Sequence, residues 1–290
     1  MSAMTPVSRK DARHATPSAG TAGVSLAGVL HGEWIKLTSL RSTLILILSS
    51  VVVIVGIAML VAVGVGMTQD MVSGNPEMAA QMGGSAGMEE MVGSIAGAGV
   101  SMATLVMGAL AVMMISSEFA TGSARSTFTA VPRRQPVFWT KALLIMAVSF
   151  VVSVVATLLA YLAIGPILSG AGMEQSLANP VFVRSLWIGA LGVSMVASIG
   201  FSLGSLLRNS AGGIMSMVGI VFVVPSIAMA IPLYWVNKLG NYLPTSAISN
   251  LTTPAMMGNG METWQAATAV AGWAIIPLAV AALVLQRRDI

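Results

Sequence analysis

Between Ser116 and Lys141 the chain reads SSEFATGSARSTFTAVPRRQPVFWTK, where charge, turn residues and hydroxyls interrupt a sequence otherwise almost without charge. The stretch sets Arg125, Arg133, Arg134 and Lys141 against one acid, Glu118. Such groups do not break covalent bonds unaided; their chemistry is ion pairing and charge-assisted hydrogen bonding to a protein surface or to phosphates. Glu33 is the second notable acid. It falls in SLAGVLHGEWIKLTSLR, residues 25–41, on one helical stripe with Leu26, Val29, Leu30, Trp34, Leu37 and Leu40, where an unpaired carboxylate is unwelcome. Two kinds of partner suit it: Lys36, one turn away, or the central stretch or a partner protein.

Other chemistries find few residues to carry them. Cysteine is absent, so there is no disulfide framework, thiolate metal site or cysteine nucleophile. The two histidines, His14 and His31, precede the first long apolar run and stand too far apart for a metal motif. None of the four lysines follows a glycine, so the GxxxxGK[ST] phosphate loop is missing, and HExxH does not occur. A hydrolase buried in the membrane would need a base beside its nucleophile, and the chain offers none there. Met67, Met71, Met78 and Met82 would share one face of a continuous helix. Clustered thioethers can take Cu(I), but methionine is equally a flexible gap-filler, and the chain has 22 of them.

These residues must be held by a particular kind of scaffold. Of 290 residues, 56% are hydrophobic and 8% charged, against about 25% charged in soluble domains. Six uncharged runs reach spanning length, at about 44–66, 95–115, 142–164, 186–206, 213–235 and 264–285. The expected fold is an all-α membrane protein with six transmembrane helices. Residues 1–24, small and polar, read as a disordered tail; 25–43 as an amphipathic helix lying at the interface; 44–286 as the six-span domain; and 116–141 as a loop between the second and third spans. In that helix Trp34 suits the interface, and Lys36 and Arg41 suit lipid phosphates. The third span is expected to end at Gly165-Pro166, and the fifth to contain Pro225 and Pro232. Residues 236–263 read as short helices on the outer side. Gly93 and Gly97, and Gly200 and Gly204, have the spacing that lets helices approach closely in lipid.

Of the fourteen basic residues, all but Arg184 and Lys238 fall on one side of this arrangement. The positive-inside rule then puts both termini in the cytoplasm. Trp139, Trp187, Trp235 and Trp264 fall at span ends, as an aromatic belt requires. The formal charge of +4 thus flanks bilayer segments, and nothing points to nucleic acid. No expected span holds an Asp, Glu, Lys, Arg or His in its interior, which disfavours ion-coupled carriers and pumps. A six-span protein without a fuel site and with a basic inner loop suits transport powered by another subunit.

The passage SSEFATGSARSTFTAVPRRQPVFWTKALL resembles the loop between the second and third spans in permease subunits of ATP-binding-cassette transporters of the second export type. Glu118, Gly122, Arg125, Pro132-Arg133-Arg134 and Lys141 stand at the places of that pattern. GEWIKLTSLRS, Gly32 to Ser42, is similar to the helix these permeases carry before their first span, and YLPTSA, Tyr242 to Ala247, to a turn of their outer loop. Phe119 stands where many relatives have tyrosine.

The resemblance implies a permease that is not itself an enzyme and holds no cofactor. ATP would be bound by a separate ATPase subunit, and a second permease copy or homologue would complete a dimer in the cell membrane, that of a bacterium. Glu118, Gly122, Arg125, Arg133 and Arg134 would contact the ATPase through a coupling helix, with Glu33, Trp34 and Lys36 on the interfacial helix beside it. Export is the family's usual direction. The cargo cavity would be lined by the second and fifth spans, whose small apolar residues suit a hydrophobic or amphipathic cargo. Two other functions remain open at this point: copper-site assembly or metal handling through the methionines, and a non-transporting anchor or sensor that recruits an ATPase.

Overall fold

Apolar segments without water to bond their amides must satisfy every N–H and C=O internally, and a helix does so within one segment. The computed structural model describes residues 26–74, 84–120, 134–252 and 261–287, and the regular structure among them is all helical. Six stretches are long and apolar enough to cross a membrane: Arg41–Gln69, Ala86–Ala120, Gln135–Gly170, Pro180–Leu207, Ser210–Ala230 and Thr263–Arg287.

A short helix α1 (Leu26–Ser39) leads through Leu40 into α2 (Arg41–Ser73). The Leu40 carbonyl accepts from the amides of Thr43 and Leu44, so this corner is closed by backbone alone. Next come α3 (Gly84–Ile95) and α4 (Val100–Ala120), then α5 (Arg134–Gly170) and α6 (Pro180–Leu207). The fifth span is composite: α7 (Ser210–Val218), a π-helical turn at Gly219–Val223, and α8 (Val224–Ala230). Two short helices, α9 (Tyr234–Gly240) and α10 (Pro244–Thr252), precede α11 (Thr263–Arg287).

The core is built on α6, whose Phe182, Leu186, Val193, Ala197 and Phe201 are all buried. Its glycines explain why it can sit centrally. A Cβ at Gly200 would lie 2.5 Å from the Gly108 carbonyl oxygen of α4, and one at Gly204 would lie 2.8 Å from that of Val112. The two backbones therefore touch. By contrast Leu44, Leu48, Val52 and Leu60 of α2 are exposed, an apolar surface of the kind that lipid covers.

Several boundaries differ from those expected, each for a local reason. The first amphipathic helix stops at Ser39, and Arg41 to Thr43 open the first span instead. The second span starts earlier, as α3, and turns tightly over residues 96–99. Gly99 permits this, because a Cβ there would meet the Ile54 backbone at 2.6 Å. The third span does not end at Pro166 but runs through it to Gly170. Proline is tolerated inside a membrane helix where neighbours re-satisfy the freed backbone; the carbonyl left without its helical donor is that of Leu162, and beside it Gln175 Nε2 donates to the Tyr161 carbonyl at 3.0 Å.

The fifth span contains Pro225 as expected, just after the π-helical turn and with Val223 and Val224 both helical, whereas Pro232 lies beyond it, the helix ending at extended Ile231 (φ −92°, ψ 114°). Finally, Ser116–Ala120 complete α4, and Arg134–Lys141 open α5. Glu118 and Lys141 are thus helical residues, while Gly122, Arg125 and Arg133 lie outside the described residues.

Candidate functional site

On α1 the side chains that bury are Glu33 and, one turn later, Leu37. Glu33 is 4% exposed and Lys141, eight residues into α5, 2%. Lys141 Nζ donates to Glu33 Oε2 at 2.5 Å and to Glu118 Oε1 at 2.5 Å. Lys36 Nζ donates to Glu33 Oε1 at 3.0 Å and to the same Glu118 oxygen at 3.2 Å. The four side chains therefore close a ring of alternating charge that sums to zero. Both kinds of contact open to Glu33 from the sequence are present at once.

The alternation is what makes burial tolerable. An isolated charge out of water is very unfavourable, and its partners compensate only when geometry is good and no charge is left over. Lys36, half-exposed, closes the ring on its wet side. Burial alone would lower its proton affinity, but the Glu33 and Glu118 carboxylates outweigh that and hold its ammonium above the ordinary lysine value. It stays charged throughout the physiological range.

Mechanically the ring joins three elements: α1, the last turn of α4 and the first turns of α5. The end of α4 makes two further links. Ser116 Oγ lies 2.8 Å from Ser210 Oγ at the start of α7, and Phe119 lies under the Arg208 guanidinium, 5.0 Å from ring centroid to Cζ. Gln135 Nε2 of α5 donates to the Ala282 carbonyl of α11 at 3.0 Å. Thus α1, the end of α6, the start of α7 and α11 are each tied at this end to one of the two helices flanking residues 121–133.

Of the residues singled out in the sequence, the structure brings together Glu33, Lys36 and Glu118. Trp34 points away, half-exposed, and Arg134 opens α5. Lys141 is the hub the spacing argument missed by counting it with the loop. The signal was present: Lys141 shares a helical face with Val137, Phe138, Ala142 and Ile145, all buried, and a charge on such a stripe implies a buried partner.

Other candidate chemistry does not assemble. The helix carrying Met67 and Met71 ends at Ser73, and Met78 and Met82 lie outside the described residues. Met67 itself is 71% exposed. Among the described residues no His, Cys, Asp and Glu cluster could hold a metal. Gly200 to Gly204 spell GxSxG, but Ser202 lies buried mid-helix with its hydroxyl given to the Ser198 carbonyl at 2.7 Å. A nucleophile elbow instead needs a strained strand-to-helix turn that exposes the serine.

At the other end of α4, about 30 Å from Glu118 by helix rise, lies a cavity of about 670 Å³. Its walls come from α3, α4, α6 and α10. The second and fourth spans line it, and no residue of the fifth span does. Thr245 of α10 lines it and also donates to the Val221 carbonyl at 3.0 Å, inside the π-helical turn of the fifth span.

One buried residue fixes the α3 wall. Asn179 caps α6, its Oδ1 accepting from the Val181 and Phe182 amides, while its Nδ2 donates to the Glu89 carbonyl at 2.9 Å. Asn179→Ala is expected to lower stability by about 1–2 kcal/mol, the usual value of such a cap, read as thermal unfolding in detergent. Asn179→Asp should recover only part of this, since a carboxylate restores the cap but cannot donate to Glu89.

A family model described as ABC-2 family transporter protein matches residues 29–290. No curated protein matches the chain.

Proposed function

Because the chain belongs to the ABC-2 family of transporter proteins, a family of multi-pass membrane components, we propose that it forms the substrate pathway of an ATP-driven exporter whose energy comes from a separate ATPase subunit. The observation that carries this reading is the ion-pair ring. Residues 121–133, with Gly122, Arg125 and Arg133, connect two helices whose facing ends are clamped to each other and to α1 through Glu118, Lys141, Glu33 and Lys36. A push delivered there by the ATPase moves α1, α4 and α5 as one body. Loose ends would absorb the same push.

In this reading both termini and the basic segment face the cytoplasm, supported by the charge bias, and the membrane is the cell membrane of a bacterium. ATP binds only to the partner, this chain contributing no cofactor site, and a second permease completes the pathway. Arg125, Arg133 and Arg134 contact the ATPase or lipid phosphates.

The test is co-expression with the cognate ATPase and measurement of ATP hydrolysis by the purified complex against the free ATPase. Glu118→Ala and Arg125→Ala are each expected to reduce the stimulation about tenfold, the scale of one lost charge-assisted bond, at normal expression. Full stimulation and transport in both variants would remove the coupling assignment. A chain that recruits the ATPase yet moves nothing in vesicles would be an anchor or sensor instead.

A further inference from the structure

The 670 Å³ cavity between α3, α4, α6 and α10 has the size of a small-molecule site, typically about 300–1,000 Å³. Of its seven hydroxyl side chains, five have one property in common, while Ser101 and Ser249 keep protons that can turn toward an occupant. Ser94 Oγ donates to the Met91 carbonyl, Thr104 Oγ1 to Ser101, Ser185 Oγ to Phe182, Thr245 Oγ1 to Val221 and Thr252 Oγ1 to Ile248. A hydroxyl has one proton to give. Once that proton goes to a backbone carbonyl, only lone pairs face the cavity. These five side chains therefore present acceptors and no donor.

Glu90 adds a full negative charge, and it is the one ionisable side chain in the lining. No ion pair among the described residues involves it. Arg184, the basic residue closest in sequence to the lining, is exposed, and the adjoining segments 75–83 and 253–260 contain no Lys or Arg. The remaining wall is apolar, with Met88, Met91, Val100 and Ile248 beside glycines, and methionine adapts readily to varied ligand shapes. A wall in which acceptors outnumber donors, carrying one carboxylate and no basic side chain, disfavours anions. It attracts a cation whose tail can fill the apolar part.

We propose that this cavity binds amphipathic organic cations, with Glu90 as the counter-charge and the acceptor hydroxyls orienting the head group. That such a cation is the exported cargo rests on the transport reading above; its binding does not. Thr245 stands in both the cavity wall and the clip on the π-helical turn, so an occupant presses on the element that shapes the fifth span.

The experiment uses the full chain in lipid nanodiscs without ATP, with dodecyltrimethylammonium as the probe and dodecyl sulfate and dodecanol as matched anionic and neutral tails. Expected are saturable binding of the ammonium, no competition by the sulfate, and about tenfold weaker binding in Glu90→Gln, the scale of one lost charged contact. Glu89→Gln, on the exposed neighbour, should bind as the parent does, and Ser101→Trp, which fills the cavity, should abolish binding. Equal affinity for all three tails, or an unchanged Glu90→Gln, would overturn the proposal. So would efficient disulfide dimerisation of a single cysteine at Ser101 in this cysteine-free chain, because a second copy would then occupy the cavity. Binding can fail here while ATPase stimulation persists, and the reverse, so the two readings are separable.

Discussion

Lys141→Met is expected to destabilise the protein by about 3–5 kcal/mol, the range for breaking a buried ion pair by removing one partner, and to abolish ATPase stimulation in the complex. Methionine keeps the volume and removes only the charge. What remains is the Glu33 and Glu118 carboxylates, both of which had been held by the same ammonium, now facing one another around an apolar side chain. The ring topology makes the rescue pattern specific. Lys141→Met combined with Glu118→Gln should be milder than Lys141→Met alone, because the Glu33 and Lys36 pair survives at 3.0 Å. Reversing a single pair, Glu118→Lys with Lys141→Glu, should fail, since it sets lysine against Lys36 and glutamate against Glu33. Reversing all four should restore stability. Thermal unfolding in detergent reads each step, and an independent pair of salt bridges would instead respond to the two-residue reversal.

Gly200→Ala is the second large effect, expected to lower stability by about 1–3 kcal/mol, the usual penalty for overpacking, with the upper end favoured here. The added methyl meets the Gly108 carbonyl oxygen at 2.5 Å. That atom is backbone and cannot rotate away, so α4 and α6 must part. A paired control separates packing from helix propensity. Gly56→Ala on α2, where nothing lies within 4 Å of the new methyl, should be neutral or stabilising by up to about 1 kcal/mol, as alanine favours helix over glycine. If both substitutions gave the same shift in unfolding temperature, the close crossing of α4 and α6 would not contribute to stability.

The all-helical fold and its six spans are legible in the sequence because lipid makes one demand, length and apolarity, and that demand is local. What lies beyond composition is less so. The turn at 96–99 packs on the Ile54 backbone, distant in sequence from Gly99, and the third span beside Pro166 is bonded by a side chain from a later loop, Gln175. The ring was half legible. Glu33 announced itself as a charge on an apolar stripe, whereas Lys141 sat at the margin of a span, where a lysine reads equally well as a topology signal. The cavity was legible only as a generality. The second span was expected to contribute, but the share taken by α6 and α10 depends on how the chain returns over residues 234–252, which no periodicity encodes.

The close backbone contact of α4 with α6 at Gly108 and Val112 gives α4 a fulcrum, closest at Gly108. Glu118 lies ten residues to one side of it, about 15 Å by helix rise, and Val100 eight residues to the other, about 12 Å. A rigid rod pinned near its middle swings its two ends in opposite senses by similar amounts. Inward travel of the ring by some distance is therefore expected to appear at the cavity mouth as outward travel of slightly smaller size, so that one stroke at the ring's end loosens the grip at the far side without any helix having to change length or unwind.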